Sequence, residues 1–109
     1  MAKIQISFQD NADNETEFLI YRGANATVTS TDTLIATMTW STSTSSWSIS
    51  GAGSNLEITA GINEAPSSSG SQFIVIYDEN TPGNYYYGVA ASNAVGASAI
   101  SSSGLVTVS

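Results

Sequence analysis

The chain has 109 residues, with nine carboxylates against two cations, Lys3 and Arg22, for a formal charge of −7, and it has neither cysteine nor histidine. Those absences exclude disulfides, thiolate metal sites and imidazole general bases. Two cations cannot track a phosphate backbone or an anionic headgroup layer, so neither nucleic acid nor a membrane is an expected partner.

The first residues, MAKIQISFQD, set Ile4, Ile6 and Phe8 in alternation with Gln5 and Ser7. That period predicts a half-buried strand and not the continuous apolar centre of a signal peptide. With Met1 in place and no apolar stretch of membrane-spanning length, the expectation is a small gene product made without an export signal. DNADNETE (10–17) reads as a polar turn. Phe18 and Ile20 then share one strand face, Leu19 and Tyr21 the other, and Gly23 closes the strand. Over 34–40, Leu34, Ala36, Met38 and Trp40 fall on one face. SWSIS (46–50) pairs back across a Ser/Thr turn, and Leu56 and Ile58 share a face within 55–62.

APSSSGS (65–71) is loop by composition. QFIVIY (72–77) is the most apolar run and predicts a strand covered on both faces. Pro82-Gly83 makes a turn, 84–92 a strand, NAVG (93–96) a turn and LVTVS (105–109) the last strand. About seven to nine short strands without a helix predict an antiparallel β-sandwich.

The three consecutive tyrosines divide between faces: Tyr85, Tyr87, Val89 and Ala91 on one, Tyr86, Gly88 and Ala90 on the other. Asn93 and Gly96 suit a tight hairpin turn. TPGNYYYGVAASNAVGAS (81–98) is similar to the F–G region of fibronectin type III domains, with its Pro-Gly turn, corner tyrosine, V-x-A strand and Asn…Gly hairpin. FQDNADNETEFLIYR (8–22) resembles the same family's aromatic residue, D-N-rich turn, N-E pair and strand ending IYR. LIATM (34–38) looks like the strand that follows, and IYDENTPG (76–83) like the E strand and its turn.

The resemblance covers about half the chain, in family order. It implies an all-β, immunoglobulin-like sandwich over 1–109 as a single domain. Phe8, Phe18, Ile20, Tyr85, Tyr87, Val89, Ala91, Asn93 and Gly96 are then its fold signature, and the Tyr85 hydroxyl returns to nearby backbone. The chain departs from the family in lacking a strand before Phe8's own and in carrying an inserted hairpin region at about 40–71. A missing first strand leaves an edge open. The expectation is that the insertion covers it; the alternative is strand addition by another chain.

Chemistry is sparse. No histidine activates the many serines, and the carboxylates Asp10, Asp13, Glu15, Glu17, Asp78 and Glu79 sit in or beside turns, where solvation is the ordinary role. Asp10, Asn11, Asp13, Asn14, Glu15 and Glu17 offer hard oxygens for calcium but lack EF-hand spacing. They fit an ordinary turn, so no metal and no cofactor is expected. Trp40 continues the inward series of its strand, whereas Trp47 and Tyr86 are candidate interface residues.

The expectation is a non-enzymatic structural protein that binds a larger protein assembly. Fibronectin type III-like domains occur on bacteriophage particles, which implies a small virion protein, decorating a capsid or associated with a tail or fibre. It would be synthesised in the host cytoplasm and sit on the virion surface, with a capsid or other virion protein as partner. The alternative is a carbohydrate-binding or cell-adhesion module of a bacterial surface or secreted protein. Homo-oligomerisation and glycan recognition stay open.

Overall fold

The structure, a computed structural model, describes residues 2–9, 15–66 and 70–109. Nine strands lie among them: β1 (Ala2–Gln9), β2 (Glu17–Gly23), β3 (Thr33–Ser41), β4 (Ser46–Ser50), β5 (Ser54–Ala60), β6 (Gln72–Glu79), β7 (Gly83–Ser92), β8 (Ser101–Ser102) and β9 (Val106–Val108). All pairings are antiparallel. One sheet has the order β1-β6-β5; the other runs β4-β3-β2-β7-β8, with β9 also on β7. The two face each other as an immunoglobulin-like sandwich.

Period-2 alternation builds the core from both sheets. Ile4, Ile6, Phe73, Val75 and Tyr77 come from the first; Phe18, Ile20, Ala36, Met38, Trp47 and Tyr87 come from the second. Phe8, Leu56, Ile58, Tyr85, Val89 and Ala91 pack against them, half-buried. The outer face of β2 and β7 is covered too. Tyr21, Val28 and Ala90 are buried there, and a Cβ on Gly88 would meet Ile100 and Val28 side chains at 2.5 and 2.9 Å.

Three expectations are corrected. On β3, Leu34 is 42 % exposed while Ile35 is buried. Ile20 stands opposite Ala36 and Tyr21 opposite Leu34, so Ile35 is the extra residue of a β-bulge. The bulge offsets the alternation by one and turns Ile35 inward beside Ala36.

A two-residue strand not expected from the sequence, β8, precedes the last strand. The Ser103 N–H donates to the Tyr87 carbonyl at 2.7 Å, while its Oγ accepts from the Tyr87 N–H at 2.9 Å. The side chain thus stands in for a ladder rung. Leu105 lies 56 % exposed, and pairing resumes at Val106.

Among the described residues, the 40–71 region leaves the first edge open. It supplies β4, which extends the second sheet beyond β3, and β5, which pairs β6 on the side away from β1. Three residues, 51–53, join β4 to β5. They reach about 10 Å, one sheet-to-sheet spacing, which is too short to carry the chain past β6 to the far side of β1.

Candidate functional site

Two clusters of side chains and one strand edge stand out. At the end of the sandwich where β6 finishes and β7 begins, Tyr77, Glu79, Arg22, Tyr87 and Tyr85 form one polar network. The Tyr77 hydroxyl donates to Glu79 Oε1 at 2.8 Å and lies 3.0 Å from the Tyr87 hydroxyl. A hydroxyl has one proton; with Tyr77's on the carboxylate, Tyr87 supplies the proton between the two rings.

Arg22 Nη1 donates to Glu79 Oε1, and the Thr81 N–H donates to Oε2 at 3.2 Å. The Arg22 guanidinium stands 4.7 Å over the Tyr85 ring. The Tyr85 hydroxyl returns to the Thr81 carbonyl at 2.9 Å, the geometry of a tyrosine corner.

Burial alone would raise the Glu79 pKa, but the bonds from Arg22, Tyr77 and Thr81 outweigh it and hold the carboxyl below its ordinary value. Burial, then the hydrogen bonds to Tyr87 and Glu79, pushes the Tyr77 phenol far up. Burial also raises Tyr87. Both tyrosines stay neutral, and the network is a structural clasp.

The opposite end is aromatic. Trp47, expected as a contact residue, is 2 % exposed. The β3–β4 register sets it opposite Trp40, its indole N–H donates to the Glu64 carbonyl at 2.7 Å, and Phe18 and Phe73 meet its ring. It therefore offers no ring to a partner. Tyr86 is half-exposed on the outer face of β7, opposite Gly23. Asn93 and Gly96 exchange backbone hydrogen bonds across the turn after β7.

Among the described residues the carboxylates do not assemble into a catalytic pair. Asp78 and Glu79 are neighbours on β6 and point to opposite faces. Asp78 accepts from Asn55 and Lys3, which lower its pKa. Glu15 is buried beside the Ala91–Ser98 segment, and Glu17 is half-buried on β2. Asp10, Asn11, Asp13 and Asn14 lie outside the described residues. Among the described residues no three His, Cys, Asp or Glu side chains gather to hold a metal.

The edge is β1. Its single strand neighbour among the described residues is β6, so alternate N–H and C=O groups along it face outward without a ladder. Beside it runs a groove of about 420 Å³, bounded by Lys3, Ile4, Gln5, Ile6 and Ser7 on one side and Tyr87, Ser103 and Val106 on the other. The break between β8 and β9 forms its far wall.

No protein family, curated protein or solved structure matches this chain. The site therefore stands on its geometry.

Sequence reading found the tyrosine corner, held the open β1 edge only as its alternative, and missed Arg22, Tyr77 and Glu79 as partners. The signal was present. Arg22 continues the inward series of Phe18 and Ile20, and Glu79 that of Phe73, Val75 and Tyr77. A charge that extends a core face calls for a counter-charge on another strand. Ser103 and Val106 carried no such signal, because the groove they bound lies where the short β8, absent from the sequence reading, gives way to β9.

Proposed function

We propose that this chain is a non-enzymatic interaction protein that attaches to a larger protein assembly through its β1 edge. The observation that carries the reading is an unbroken register of eight residues, Ala2↔Glu79 through Gln9↔Gln72, with no strand among the described residues paired on the far side. Such an edge is a template for another strand.

The resemblance of 8–22 and 81–98 to fibronectin type III domains supports the setting. The protein acts on a virion surface, as capsid decoration or in association with a tail or fibre, with another virion protein as partner and synthesis in the host cytoplasm. For the rival reading, a glycan-binding or adhesion module, Trp47 and Tyr86 exposed on one face would count in favour. With Trp47 inside the core, Tyr86 has lost that companion ring.

Sedimentation of particles from the source through a density gradient tests the reading. A fixed copy ratio of this chain to the main shell protein is the expected result. Its absence from particles, with the chain free or in a cell-surface fraction, overturns the virion setting.

A further inference from the structure

The sheet edges differ in how they are guarded. β5 carries two register shifts against β6 and an exposed Glu57. β4 has five residues, β8 two and β9 three. Bulges, charges and shortness are the ordinary means of keeping edges from pairing. β1 has only one of them, the charge of Lys3 at its start, which pairs with Asp78 at 3.2 Å; over its eight residues it has no proline, no glycine and no bulge.

The groove beside it reaches the core. Ile4 and Ile6, at 8 % each, are the least sealed of the buried hydrophobic residues, and both bound the groove with Tyr87 and Val106.

We infer that an extended segment donated by a different protein chain fills this groove, adds to β1 as a fourth strand of the β1-β6-β5 sheet and lowers alternate apolar side chains onto Ile4, Ile6, Tyr87 and Val106. The inference rests on the interaction reading above and names the partner's chemistry. Five residues of β1, Lys3–Ser7, border the groove, a span of about 17 Å at the rise of a strand. The segment therefore presents five or so residues in alternation.

A second copy of this chain does not serve. Its β1 has Ile4, Ile6 and Phe8 engaged in its own core, so edge-to-edge pairing leaves the groove floor uncovered. Charge points the same way. Both cations of the chain are already in ion pairs, Lys3 with Asp78 and Arg22 with Glu79, and a copy would bring −7 against −7. No carboxylate lines the groove. The complementary segment is uncharged where it lies in the groove and basic where it leaves it.

The probe is a synthetic nine-residue peptide of alternating valine and threonine with two lysines at each end. A control peptide carries proline in place of the central valine, which keeps the charge and removes a ladder donor. Amide hydrogen exchange is read on the whole chain. With the probe, outward amides of β1 are expected to exchange roughly tenfold more slowly while β4 and β5 are unchanged, and the proline control leaves β1 unprotected.

No protection of β1 at millimolar probe overturns the inference, as does equal protection by the control, or protection at β4 or β5 instead. Protection of β1 without peptide that grows with protein concentration also overturns it, in favour of a second copy.

Val106→Trp fills the groove from its far wall. It is expected to abolish both probe binding and particle association while the protein still melts cooperatively; Gln5→Pro is the second variant should Val106→Trp not fold. Particles that keep the groove-filled variant at the normal copy ratio overturn the groove and leave the interaction reading standing. Particles that lack even the unaltered chain overturn the virion setting, and the peptide exchange experiment then decides the donated strand.

Discussion

The two ends of the sandwich are closed by different physics. At one end Phe8, Phe18, Phe73, Trp40 and Trp47 meet ring to ring, with centroids 5.1 to 5.8 Å apart. At the other, Tyr77, Tyr85 and Tyr87 meet through hydroxyls, a carboxylate and a guanidinium. The aromatic end gains from buried area and from ring pairs worth about 0.5–1.5 kcal/mol each. The tyrosine end gains directionality and is exposed to pH. A sandwich of this size thus has one end fixed by volume and one fixed by proton inventory.

The largest break is expected at the aromatic end. Trp47→Ala removes a buried indole and its bond to Glu64 and costs about 3–5 kcal/mol, a large share of the ~5–15 kcal/mol of a typical domain. Denaturant unfolding reads it as a lower midpoint at unchanged slope.

Glu79→Gln keeps the volume but leaves Arg22 without its anion and Tyr77 with a weaker acceptor. Its expected cost is about 1.5–3 kcal/mol, the range for hydrogen bonds to charged groups. Equal losses in the two variants, with equal salt dependence, would erase the distinction between the ends.

The pH dependence sharpens it. The folded pKa of Glu79 lies below its ordinary 4.5, so its contribution is present above pH 4.5 and lost as pH falls through the folded value. The folded pKa of Tyr77 lies above its ordinary 10.0; its contribution is whole below pH 10 and drains away as pH climbs beyond it. Melting temperature against pH should show a plateau with both shoulders. Glu79→Gln is expected to soften the acid shoulder and Tyr77→Phe the alkaline one, while Trp47→Ala lowers the whole curve and changes neither.

The smallest effect belongs to the bulge near the tyrosine end. Leu34→Ala should change stability by less than about 0.5 kcal/mol, because Ile35 occupies the core in its place. A loss of about 2 kcal/mol or more, the range of a buried leucine, would place Leu34 inside.

These contrasts explain what the sequence revealed. Strand order in the chain, the inward series on β1, β2, β6 and β7, and the Tyr85 corner were legible because period-2 alternation runs through them without interruption. The β3 face was misread at Leu34 because a single extra residue inverts the period, and no local composition marks a bulge made by Ile35 and Ala36. Trp47 was ambiguous because its neighbours, Ser46 and Ser48, are polar in either orientation; its pairing with Trp40 across the Ser/Thr turn decides it. The groove was visible as a missing strand and invisible as a cavity, since its far wall depends on how Ser103 ends β8 before β9 begins.

The pairing of β1 also sets an order of events. Lys3 and Asp78 are 75 residues apart in sequence, so the ladder that secures β1 closes a loop of most of the chain, the kind of long-range contact that slows folding. On a ribosome adding about 5–20 residues per second, β1 waits on the order of several seconds for β6. Through that interval Ile4, Ile6 and Phe8 travel as a bare alternating ribbon, in reach of any nascent or finished chain nearby.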